Sequence, residues 1–160
     1  MNIEVKMGEI AIAGAEDILT ATGVGSCIVI TLWDPLLKIG TLAHAMLSSQ
    51  NKGQKKREEV LQHVKFVNPD NRYVHSATNE MLKKMESQGV KRENIEAKII
   101  GGANMFSAFR SYIGSENVLS AKSKLKEEGI KIIGECIGGS QGRSVEFSIS
   151  SGVVTVKTKF

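Results

Sequence analysis

The chain has only two cysteines in 160 residues, too few and too far apart in sequence for a disulfide framework. In a reducing compartment Cys27 and Cys136 are both expected as thiols, while a bridge between them stays open and would silence either as a nucleophile. No apolar run approaches the roughly 20 residues a membrane span requires, and no secretory leader is evident, so a cytoplasmic location is expected. The histidines number three and form no ligand-spaced cluster, so no metal is expected. Charge of one sign is also scarce: 21 basic residues against 17 acidic ones leave +4, too diffuse to indicate nucleic acid. Repeats, low-complexity tracts and linkers are missing, and residues 1–160 read as one domain with room for a substantial core.

What the chain does have is a cysteine set directly after a glycine-rich turn, in Gly23-Val24-Gly25-Ser26-Cys27. Residues 27–33 form an unbroken β-prone run, Asp34-Pro35 signals a turn, and residues 39–46 are again strand-like, with His44 near their end. Two short strands so briefly connected form an antiparallel hairpin. A four-residue loop at 34–37 would set Trp33 opposite Lys38, and therefore Cys27 opposite His44. Opposed residues have β-carbons roughly 4.5 to 5.5 Å apart, within hydrogen-bonding reach of a thiol and an imidazole. A slip of one residue would turn the two side chains to opposite faces.

Such a pair supports nucleophilic catalysis, because the thiolate is the reactive species and an adjacent imidazole can take its proton. Gly23 and Gly25 permit positive-φ backbone, so amide N–H groups around Ser26 and Cys27 are candidates to meet a developing oxyanion. The competing reading of Cys27 is a small core residue, since cysteine is among the most buried residue types.

The remaining chain reads as scaffold. Period-two alternation through residues 3–13 predicts an opening strand or two, and residues 18–20 lead toward the motif loop. Lys52, Lys55, Lys56 and Arg57 form a basic run, read as a solvated helix end or a meeting point for an acidic partner surface; an amphipathic helix follows to about residue 65. A second helix spans about 73–87, with Ala77, Met81, Leu82 and Met85 inward and Gly89 as its stop; His63 and His75 are read as surface or satisfied histidines. Residues 95–100 read as a strand, and Gly101-Gly102-Ala103 as a sharp turn packed beside the hairpin, lacking the spacing of a phosphate cradle; Asn104 is a candidate amide contact to substrate. Ser115 or Asn117 is expected to cap a helix reaching Glu128, followed by a short strand at 130–134. In the loop 138–143, Arg143 is a candidate carboxylate clamp or a loop-fixing residue, and residues 144–149 and 153–159 form a closing hairpin. The expected fold class is α/β in the α+β sense, a mixed, largely antiparallel sheet with two or three helices packed on it.

Several separated motifs carry a family resemblance. Gly23-Val24-Gly25-Ser26-Cys27, Trp33-Asp34-Pro35, Ala43-His44-Ala45-Met46-Leu47, the run from Ala97 to Phe106, Ile113-Gly114-Ser115-Glu116-Asn117-Val118 and Gly138-Gly139-Ser140-Gln141-Gly142-Arg143 resemble the CheD family, in the family's order. The resemblance covers the chain from about Ile10 onward. It implies a hydrolase that deamidates glutamine side chains of methyl-accepting chemoreceptors, without metal or organic cofactor, with Cys27 as nucleophile and His44 as general base. It implies as a second partner the CheC phosphatase, so that a regulatory binding module with weak catalysis is an alternative; hydrolysis of receptor methyl esters is another. The chain departs from the family at Ala21, where a catalytic threonine belongs, and at Cys136, a position usually acidic. Thr20 and Thr22 flank the gap, but strand alternation points both away from where residue 21 points.

Overall fold

The computed structural model describes residues 1–48, 69–104 and 111–158. The basic run at 52–57, His63 and the helix expected up to about residue 65 lie outside the described residues, as do Met105 and Phe106. Among the described residues the elements run β1(Asn2–Glu4), β2(Ile10–Ala13), β3(Ile18–Val24), β4(Ile28–Asp34), β5(Ile39–Ala45), α1(Val74–Ser87), β6(Glu96–Gly101), α2(Ser111–Glu127), β7(Lys131–Ile137), β8(Arg143–Ser148) and β9(Val154–Thr158). The fold is of the expected α+β kind, with its strands divided between two mixed sheets of order β1-β3-β8-β9 and β2-β5-β4-β6-β7. Most pairings are antiparallel; β1 with β3 and β6 with β7 are parallel.

The hydrophobic pattern dictates three layers. Strand β4 is apolar on both faces, as a strand covered on both sides must be. Its even-numbered residues Ile28, Ile30 and Leu32 join Ala43, Ala45, Ala97 and Ile99 under the helices, against Ala77, Met81, Met85, Ala121 and Leu125. Its other face joins Leu42 and Ile100 against Leu19, Ala21, Val145 and Phe147 of the second sheet and Ile149 in the turn after β8. Gly40 allows the two sheets to close, since a β-carbon there would overlap Ile149 and Phe147.

The helix at 74–87 matches its expectation, with its predicted inward residues buried and Gly89 at φ 86° ending it. The second helix begins at Ser111, earlier than a cap at Ser115 or Asn117 allows. Strand β3 extends through the motif glycine to Val24. A bulge between Ala21 and Val24, with Gly23 at φ 65°, keeps both residues facing the interior.

Candidate active site

The β4–β5 hairpin sets the site, in a register shifted from the one expected. Asp34 pairs with Ile39, enclosing the loop one residue later on each strand, and Val29 rather than Cys27 stands opposite His44. The reason lies in the loop, where Lys38 adopts φ 54° and the Asp34 carboxylate accepts from the N–H groups of Leu36 (2.8 Å) and Leu37 (3.3 Å). A shift of two positions preserves the face. Cys27, just before β4, and His44 both belong to the face that points into the sandwich interior.

His44 is 1% exposed and is held from the N-terminal segment. Its N–H donates to the Glu9 carbonyl (3.1 Å), its carbonyl accepts from Gly8 (2.8 Å), and ring Nδ1 lies 3.2 Å from the Val5 carbonyl. A carbonyl only accepts, so Nδ1 carries the ring proton and Nε2 carries the lone pair. Nε2 is buried and has no hydrogen-bond partner among the described residues. Burial pushes the imidazole below its ordinary pKa, opposed by the Val5 hydrogen bond and by the charge of Glu9. A cavity of about 270 Å³ runs along the same segment, lined by Glu4, Val5, Gly8 and Glu9 and by neither Cys27 nor His44.

Burial pushes the Cys27 thiol up to about 11, with a smaller opposing effect from a hydrogen bond with its own backbone. Both groups are therefore neutral at rest. The loop carrying Cys27 is fixed through three successive carbonyls: Gly25 accepts from Ala103 N–H (2.9 Å), Ser26 from the Asn117 side-chain amide (2.8 Å) and Cys27 from Gly102 N–H (2.8 Å). The turn 101–103 packs beside the hairpin as expected. Gly101 at φ 112° has no room for a side chain beside the Cys27 carbonyl.

Arg143 is a loop-fixing residue: it is 8% exposed and donates to the carbonyls of Gly138 (2.8 Å) and Gly101 (3.5 Å). Asn104 is exposed, with its side chain 3.3 Å from Ser115 Oγ. Thr22 is exposed and Thr20 Oγ1 lies 3.5 Å from the Ile3 carbonyl, whereas Ala21 is fully buried in the cluster that contains Cys27. Cys136 is half-buried on β7. Ile100 stands between it and Val29, so two interstrand spacings, roughly 9.5 Å, separate their strands. That exceeds the reach of a disulfide, and both thiols are free. Among the described residues no group of His, Cys, Asp or Glu could hold a metal ion, and no helix is long and apolar enough to cross a membrane.

A buried thiol and a singly oriented imidazole on one sheet face define the equipment of acyl-transfer chemistry. Comparison with known proteins sharpens this. A family model described as CheD chemotactic sensory transduction matches residues 46–158. The chemoreceptor glutamine deamidase CheD of Thermotoga maritima is 33% identical over 153 residues, covering 96% of this chain and 89% of that protein. Its counterpart from Halalkalibacterium halodurans is 31% identical over 160 residues, covering 98% and 93%, and a probable chemoreceptor glutamine deamidase CheD of Clostridium novyi is 36% identical over 162 residues, covering 98% and 92%. The chain belongs to the CheD family.

Proposed function

We propose that this protein is a chemoreceptor glutamine deamidase with Cys27 as nucleophile and His44 as general base. The observation that carries this reading is the buried Nε2 of His44, without a partner among the described residues and oriented by the Val5 carbonyl on the face that also holds the Cys27 thiol. His44 Nε2 takes the thiol proton as sulfur attacks the glutamine side-chain carbonyl, so ionisation accompanies attack and does not precede it. The carbonyl electrons move to oxygen, where the Cys27 N–H is placed to donate. The imidazolium protonates the amide nitrogen of the tetrahedral intermediate, the C–N bond breaks, ammonia departs and a thioester remains. Water then loses a proton to His44, attacks the thioester and releases glutamate, and the imidazolium returns its proton to sulfur. Acyl transfer of this kind needs neither metal nor organic cofactor.

The test is mass spectrometry of a methyl-accepting chemoreceptor cytoplasmic fragment incubated with the protein. A gain of about one mass unit per modified glutamine, absent with Cys27→Ala, is expected; no gain on a glutamine-bearing fragment would sink the reading. Offering a glutamate methyl ester beside the amide separates deamidase from methylesterase.

Ala21 favours a second reading. No hydroxyl stands at residue 21, and Thr20 and Thr22 turn elsewhere. A regulatory binding module for the CheC phosphatase, with weak catalysis, fits that gap. Titration against CheC tests it. In either role the protein works in the cytoplasm, where receptor signalling domains are found.

A further inference from the structure

Two poor helix formers, Gly114 and Asn117, sit one turn apart on the side of α2 that meets the Cys27 loop. A β-carbon at Gly114 would overlap the carbonyls of Gly102 and Ala103, so its absence lets the helix come close. Asn117 is fully buried, and its Nδ2 donates to the Ser26 carbonyl (2.8 Å) and the Met46 carbonyl (3.0 Å). These two residues flank the end of the ladder, beyond the last pair Ile28–Ala45. Two carbonyls within reach require nitrogen at that position, because a flipped amide would set oxygen against oxygen. The other end of the amide, Oδ1, is buried and has no partner among the described residues. A helix-interior asparagine that leaves its acceptor unsatisfied is a costly way to close a ladder, which calls for a role beyond packing.

The geometry of one peptide plane supplies that role. In a trans peptide the carbonyl of one residue and the N–H of the next point in opposite directions. Drawing the Ser26 carbonyl toward α2 therefore sends the Cys27 N–H the other way, away from the helix. Among the three fixed carbonyls of the loop, only this one is held by a side chain.

We propose that Asn117 is a positioning residue for the reaction, holding the Ser26–Cys27 peptide so that the Cys27 N–H is aimed at the developing oxyanion. The inference rests on the deamidase reading. Asn117→Leu keeps the approximate shape and removes both donors. The expected result is a kcat for receptor-fragment deamidation lower by about 10²–10³, with KM within threefold and alkylation of Cys27 by iodoacetamide no faster than in the native protein. A kcat within threefold of native overturns the proposal. So does a loss of kcat with faster alkylation, which would show that the loop had merely loosened.

Asn117→Asp is the second variant, in case the leucine variant does not fold. A carboxylate facing two carbonyls has no donor, whereas its protonated form regains one. The ratio of variant to native kcat is therefore expected to rise as pH falls from about 8 to 6, and a flat ratio overturns the proposal. A native protein that yields no mass gain sinks the deamidase reading and this inference with it. An active native protein with an unaffected Asn117→Leu sinks the positioning role alone.

Discussion

The two ends of the β4–β5 hairpin are built on different terms. At the closed end Asp34 is 1% exposed and accepts from two loop N–H groups, while its own carbonyl accepts from Lys38 N–H (3.0 Å). Next to it, Trp33 Nε1 donates to the Ile149 carbonyl (2.8 Å), and the Lys38 ammonium sits 5.0 Å from the indole centroid. At the open end are Cys27, His44 and the clip made by Asn117. The buried side-chain atoms without a partner among the described residues, His44 Nε2, Asn117 Oδ1 and Arg143 Nε, all gather there. One end satisfies its polar groups and stabilises the fold, and the other holds polar groups in reserve. A buried group kept without a partner costs roughly 1–3 kcal/mol, so its retention points to use.

That contrast can be broken most severely at the open end. Cys27→Ala is expected to lower receptor deamidation by more than about 10⁴-fold while thermal unfolding stays close to native; comparable turnover by the variant would remove the thiol from the mechanism. The closed end should answer in the opposite currency. Asp34→Ala leaves two loop N–H groups without their acceptor and should cost about 2 kcal/mol in urea unfolding, with kcat unchanged. A loss of kcat there, with stability intact, would erase the distinction between the two ends.

The buried thiol gives a smaller, pH-linked effect. The unfolded thiol ionises near its ordinary value of 9.0, whereas the folded one waits until about 11. Protons are then lost preferentially from the unfolded chain, so the stabilising contribution is complete below about pH 9 and disappears as pH rises toward 11. The loss is about 3 kcal/mol, and Cys27→Ala should abolish it. In the same range the alkylation rate of Cys27 in the native protein should keep climbing past pH 9; a plateau near pH 8 would mean the thiol is not held neutral. His44 sets the acid side. Its lowered pKa keeps it neutral and able to accept a proton below pH 6.5, so kcat should hold to below that value and fall only as the ring protonates.

The smallest effect is expected at Ala21. Ala21→Thr adds a hydroxyl to a fully buried site beside the Cys27 cluster, with a change in kcat of less than about tenfold and a stability cost of about 1 kcal/mol. A larger gain would show that the hydroxyl is the element this chain lacks and would strengthen the binding-module reading of the native protein.

Much of this site could be read from side-chain pattern. Asp34-Pro35 announced the turn, alternation assigned the faces, and Cys27 and His44 ended on the same one. The register escaped because nothing in the residue types says that Lys38, a non-glycine, takes the left-handed conformation and moves the loop by one. Asn117, expected with Ser115 as a candidate cap, differs for a chemical reason: a short amide that bonds free backbone groups suits a helix end and a ladder end equally well. The helix start was obscured by Gly114, whose small size serves contact with the 101–103 turn. Strand β3 was hidden by its bulge, which breaks the period-two signal between Ala21 and Val24.

The anchor of the imidazole was hidden more deeply, because it belongs to no side chain. The atom that selects the His44 tautomer is the main-chain oxygen of Val5, and every amino acid placed at residue 5 brings the same oxygen. Alanine at residue 5 would trim a buried side chain and still leave the support of the proposed general base in place. Only a change in the path of the chain, such as a proline at residue 6 or a deletion between β1 and β2, would expose it.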